Sequence, residues 1–117
     1  MVINQGDLYW VDLGEPKGSE PGFRHPFVVL QNDAFNKSKI NTVVVCALSS
    51  NIKLSQAPGN ILLKKGEANL AKASVVNISQ VITLNKDELG SKIGQLSKKG
   101  VEEIIGGFQF LLKPRLL

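Results

Sequence analysis

One cysteine and one histidine are all that this 117-residue chain carries of the two most versatile metal-binding side chains. A single thiol builds neither a disulfide framework nor a cysteine metal cluster. A single imidazole without a carboxylate cluster supplies no ligand set for zinc or a related ion. No apolar run approaches the roughly 18 residues that a membrane-spanning helix needs. The opening MVINQGD lacks the basic-then-apolar pattern of a signal peptide, and no internal repeat or low-complexity tract interrupts the chain. These absences leave a cytoplasmic protein with no membrane partner, no metal and no other cofactor as the expectation.

What is present describes a folded unit. Hydrophobic residues make up 43% of the chain, with five Phe, one Trp and one Tyr, which is the composition of a globular domain rather than a disordered one. The length suits one domain with one core, spanning 1–117, and is too short for two. Fourteen Lys and Arg against ten Asp and Glu give a net charge of +4 that is not confined to one tail. Such mild basicity is compatible with a polyanionic partner, although many ordinary proteins share it. The lone cysteine, Cys46, lies within TVVVCALSS, where a small buried hydrophobe is expected rather than a nucleophile.

The apolar pattern is mostly that of short strands. DLYWVDL alternates, with Leu8, Trp10 and Leu13 set against Asp7, Tyr9 and Asp12. GEPKGSEPGFRH is loop chemistry, and PFVVLQN then reads as a buried strand with Pro26 at its first position, where a missing N–H does least harm. DAFNKSKI fits one helical turn capped by Asp33, followed by the β-branched run TVVVCALSS. NILLKK, SVVNIS and QVITLN read as three further strands. Closely spaced short strands point to a small, strongly curved sheet or barrel. From Lys98 the period changes: Val101, Ile104, Ile105, Phe108, Leu111 and Leu112 form one helical stripe, with Ser97 as its cap and Gly106-Gly107 as its blemish.

Three polar clusters flank these strands: Gly18 to His25, Ser49-Ser50-Asn51, and Ser79-Gln80. If neighbouring strands pair in a small barrel, the clusters meet at one rim. A cation, an imidazole, hydroxyls and amides gathered there suit phosphodiester chemistry. Phosphoryl transfer asks for a cation on the non-bridging oxygens, donors for the developing charge, and a group able to move a proton near neutrality. Arg24 fits the first role, Ser49 or Ser50 the second and His25 the third. An RNA strand brings its own nucleophile, the 2′-OH. The competing reading is plain: an Arg-His pair in a Gly- and Pro-rich loop is often structural, and Ser-Ser-Asn after a strand is often a turn.

The same residues resemble a known family. GDLYWVDLGEPKGSEPGFRHPFVVLQND is similar to the opening of the MazF/PemK/Kid toxins, with the pattern G-D-aromatic-x-x-D-apolar, then G-S/H-E, then R-P-apolar-V-V-apolar. VVVCALSSNI resembles their third-strand segment ending in Ser or Thr, and SVVNISQVITLNKDELGSKIGQLS their later strands and the lead into the last helix. The resemblance implies the toxin half of a type II toxin–antitoxin pair: a mainly β, SH3-like barrel of the CcdB/MazF/Kid type with a C-terminal α-helix, acting as a homodimer. It implies a metal-independent endoribonuclease that cuts single-stranded RNA, leaves a 2′,3′-cyclic phosphate, and is held in check by a cognate antitoxin protein. The catalytic set carried over is Arg24, His25 and Ser49, with Ser19, Glu20, Phe23, Ser50, Asn51 and Gln80 as RNA-binding residues.

One departure matters. The family places its catalytic arginine directly before the strand-opening proline, whereas here His25 stands before Pro26 and Arg24 lies one place earlier. Neighbouring side chains of an extended segment point to opposite faces, so either Arg24 reaches the phosphate from an irregular backbone or His25 fills the catalytic slot. The rival function is a non-catalytic module on the same barrel, resembling the gyrase-poison toxins or binding RNA without cutting it.

Overall fold

In the computed structural model, which describes residues 1–14, 18 and 23–116, the β-branched runs assemble into a single antiparallel sheet. Its strands are β1 (Asp7–Asp12), β2 (Arg24–Val29), β3 (Thr42–Ser49), β4 (Ile61–Leu63), β5 (Ser74–Asn85) and β6 (Lys92–Gln95). Their order across the sheet is β4-β5-β3-β2-β1-β6, and the sheet curls into a half-barrel. A one-turn helix, α1 (Asp33–Asn36), follows β2, and α2 (Lys98–Leu111) ends the fold. The protein is therefore mainly β with one substantial helix. Among the described residues no helix is long and apolar enough to cross a membrane.

Strand alternation sorts the apolar side chains into two clusters, because residues two apart share a face. Leu8, Val28, Cys46, Leu48 and Val76 fall into one, together with Ile104 of α2. Tyr9, Val11, Phe27, Val29, Val45 and Ala47 fall into the other, together with Ile3 and Leu89. The central strands thus bury both faces. That is why DLYWVDL does not divide as its alternation suggests: Asp7 and Tyr9 are buried, whereas Trp10 is half-exposed. Asp7 tolerates burial because its carboxylate is occupied. It accepts a hydrogen bond from the Asn4 backbone N–H at 3.0 Å and from the Tyr9 hydroxyl at 3.4 Å, and it pairs with Lys92 at 3.3 Å. Burial first, then the adjacent Asp7 charge and that hydrogen bond, push the Tyr9 phenol up to about 12, so it remains a donor.

Other boundaries also move. SVVNIS and QVITLN are one bent strand, β5, whose register against β3 shifts between Cys46 and Leu48, so that a bulge absorbs the polar middle of the segment. β6 has no counterpart in the apolar pattern because KIGQ carries a single apolar side chain. The cap of α1 is Asn32, which accepts from the Ala34 N–H, while Asp33 is the first helical residue and accepts from the Gln5 N–H at 2.6 Å. Cys46 is fully buried, and burial pushes its thiol up to about 12, as suits a core residue.

α2 starts where Ser97 accepts from the Gly100 N–H. Its stripe is buried at Ile104 and partly at Val101, Ile105 and Phe108, but Leu111 and Leu112 are exposed, so the stripe stops a turn short. The glycine pair explains how the helix docks. A Cβ on Gly107 would come closer than 3.0 Å to the carbonyl oxygen of Gly59, in the turn before β4, whereas one on Gly106 would meet nothing within 4 Å. Gly59 itself has φ +78. The backbones of the helix and the turn touch there, and only glycine leaves the room.

Candidate functional site

The β1–β2 ladder pairs Leu8 with Val28, Trp10 with Pro26 and Asp12 with Arg24. Cross-strand partners share a face, so Arg24 and Trp10 project to the same side of the sheet, and they meet: the guanidinium lies over the indole ring at 4.2 Å from its centroid. This cation–π contact steadies an otherwise exposed side chain through the face of its guanidinium, and among the described residues no hydrogen bond occupies its donors. His25 is the cross-strand partner of Val11 and belongs to the opposite face by alternation.

The β2–β3 ladder then decides which serine accompanies which residue. Phe27 pairs with Ala47 and Val28 with Cys46. Continued outward, that register brings His25 level with Ser49 and Arg24 level with Ser50. Strict alternation would set two pairs on opposite sides of the strand ends, yet one groove gathers members of both. Ser50 lines a groove of about 510 Å³ together with Trp10, Arg24 and His25, whereas Ser49 stands outside its lining and accepts a hydrogen bond from the Asn51 N–H at 3.1 Å. Asn51 caps the short 3₁₀ turn Ile52–Gln56, its side chain accepting from the Lys53 N–H, so the turn reading of Ser-Ser-Asn also holds.

The groove is also lined by Asn69, Lys72 and Ser74 and by Lys92 of β6. Asn69 and its neighbour Ala68 both have positive φ, +62 and +50, a backbone state that costs a non-glycine residue of order 1–3 kcal/mol. Two contacts hold it: the Asn69 side-chain amide donates to the Ile93 carbonyl at 2.8 Å, and the Ala68 carbonyl lies against Gly94, where no Cβ would fit. The described lining carries three cations, Arg24, Lys72 and Lys92, and no carboxylate. An anionic ligand is what such a lining selects.

Of the sequence-predicted residues, the structure brings Arg24, His25 and Ser50 to the groove and leaves Ser49 and Asn51, which flank Ser50 in the chain, out of its lining. Phe23 precedes Arg24, is exposed and has φ +55, an uncommon state for an aromatic residue. Gln80 does not join them: it sits in the bulged middle of β5, and the β5 residues level with the end of β3 are Val75 and Val76. Ser19 and Glu20 lie outside the described residues. Trp10, Lys72 and Lys92 were not foreseen. The alternation of DLYWVDL held a signal for Trp10, but nothing local marks one lysine among fourteen basic residues.

Comparison with known proteins places this geometry. Residues 4–112 match the model of the family described as PemK-like, MazF-like toxin of type II toxin-antitoxin system. Endoribonuclease MazF6 of Mycobacterium tuberculosis is 38% identical over 112 residues, covering 96% of this chain and 98% of that protein. The crystal structure of MazF from Deinococcus radiodurans superposes with a TM-score of 0.77 at 23% identity, covering 97% of this chain and 99% of that one. A mycobacterial endoribonuclease in complex with its cognate antitoxin gives 0.74 at 22% identity, covering 99% and 98%.

Proposed function

This chain belongs to the PemK-like, MazF-like toxins of type II toxin–antitoxin systems, and from that membership we propose that it is a cytoplasmic endoribonuclease that cleaves single-stranded RNA at the rim formed by Arg24, His25, Ser49 and Ser50. The observation that carries the reading is the groove that Arg24, His25 and Ser50 line together, a cation, an imidazole and a hydroxyl at one rim. The reaction then divides by chemistry. The 2′-OH of the RNA attacks the adjacent phosphorus, the bond to the 5′-oxygen breaks, and a 2′,3′-cyclic phosphate remains on one product. Arg24, steadied by Trp10, stabilises charge on the non-bridging oxygens. His25 moves the proton between the 2′-OH and the leaving 5′-oxygen. The serine hydroxyls complete the donor set. In this reading the cation is supplied by Arg24, so cleavage proceeds without a metal. The test is incubation of the pure protein with single-stranded RNA in EDTA: cyclic-phosphate products are expected, and intact RNA under conditions where the protein is folded would favour the non-catalytic binding module instead.

The relative solved with its cognate antitoxin supports a protein partner as well. A groove with three cations and no described carboxylate suits an acidic, initially disordered peptide, so antitoxin and RNA would exclude one another. The apolar side chains that α2 leaves uncovered support a homodimer. Phe110, Leu111 and Leu112 are consecutive and each about half-exposed or more. Light scattering at micromolar concentration should give the mass of two chains, and Phe110→Glu with Leu112→Glu should return it to one; a one-chain mass for the wild type would refute the dimer.

A further inference from the structure

Lys92 is an unusual cation because it has been given a fixed address. Its ammonium pairs at 3.3 Å with Asp7, whose side chain is 1% exposed and is itself held by the Asn4 N–H and the Tyr9 hydroxyl. The lysine side chain is nonetheless 42% exposed and lines the groove. An ammonium has three donors, and one directed at Asp7 leaves others for the groove. Lys72 lines the same groove on the segment tied to β6 by Asn69. The cleavage rim accounts for Arg24, His25 and the serines, and it leaves these two lysines without a task. A single-stranded RNA offers one: its charges repeat along the backbone, so a strand whose scissile phosphate sits at Arg24 must place further phosphates along the groove.

We propose that Lys92, positioned by the buried Asp7, and Lys72 bind a second backbone phosphate of the same RNA strand, fixing the direction in which it crosses the rim. This rests on the endoribonuclease reading above. The site takes phosphate charge and not base identity, so it acts on affinity and register for every sequence alike.

The experiment measures binding of a single-stranded RNA oligonucleotide carrying 2′-O-methyl groups, which remove the nucleophile, by fluorescence anisotropy across a salt series, with folding checked by circular dichroism. Lys92→Met and Lys72→Met are each expected to weaken binding about 5-fold near 0.1 M salt and to flatten the slope of log K against log salt by up to about 0.7, the value for complete loss of one phosphate contact on a single strand. Lys92→Arg should stay close to wild type. Because Lys92→Met also strands a buried carboxylate, the double variant Asp7→Asn/Lys92→Met is decisive. If Lys92 only neutralises Asp7, the double variant regains wild-type affinity and slope, and the proposal is wrong; if it holds phosphate, the double variant stays weak with the flatter slope. Wild-type levels in Lys72→Met would remove Lys72 from the site and overturn the proposal as stated. A wild-type protein that neither binds nor cuts RNA overturns the endoribonuclease reading itself, a result distinct from normal cleavage with unaffected lysine variants.

Discussion

Arg24→Ala should lower the rate of RNA cleavage roughly 10²-fold at every pH, the size of effect seen when one preorganised transition-state donor is lost. The guanidinium carries its charge at any usable pH, so nothing in the pH profile should change shape. His25→Ala should lower the rate and also change the shape of the pH–rate profile, because a side chain that carries protons in the reaction contributes to that shape. Ser49→Ala should cost rate without changing the shape of the profile. All three should stay folded, since none is a large core side chain. Rate profiles from about pH 5 to 9 on these variants, with circular dichroism as the control, settle the division of labour. Full activity in His25→Ala beside a dead Arg24→Ala would mean that the imidazole only flanks the strand. Wild-type rates in both would move the chemistry away from this rim.

The second large effect is on stability. Gly107→Ala is expected to destabilise the fold by about 2–3 kcal/mol, because the added methyl collides with the Gly59 backbone and the helix must lift from the sheet. Its neighbour should behave in the opposite sense: Gly106→Ala has open space and gains up to about 1 kcal/mol of helix propensity. Urea unfolding of the two variants, side by side, reads both signs. Equal shifts in one direction would show that propensity alone governs the pair and that the helix–turn contact is not tight.

The strand content and the closing helix were legible because their signals are local: β-branched runs bounded by turn residues, then a 3.6-residue period opened by Ser97. The two halves of β5 look separate in the sequence because the bulge that joins them exists only against β3. The exposure of Leu111 and Leu112 is a fact of tertiary docking that periodicity does not contain. Arg24, His25 and Ser50 could be anticipated as a group, since loop–strand junctions collect polar residues. Their meeting in one groove required the register of three strands. Trp10 and Lys92 were hidden for a related reason: each acquires its place from a partner distant in the chain, Arg24 in one case and Asp7 in the other.

The stacking of Arg24 on Trp10 has a practical side. Trp10 is the only indole in the protein, and it sits in the wall of the groove under a movable charge. Indole emission responds to the field and the water around the ring, so a ligand that draws the guanidinium away alters the one optical signal the molecule emits at long wavelength. The chain thereby carries a built-in optical reporter of groove occupancy, readable in the unlabelled wild-type protein for RNA and antitoxin peptide alike.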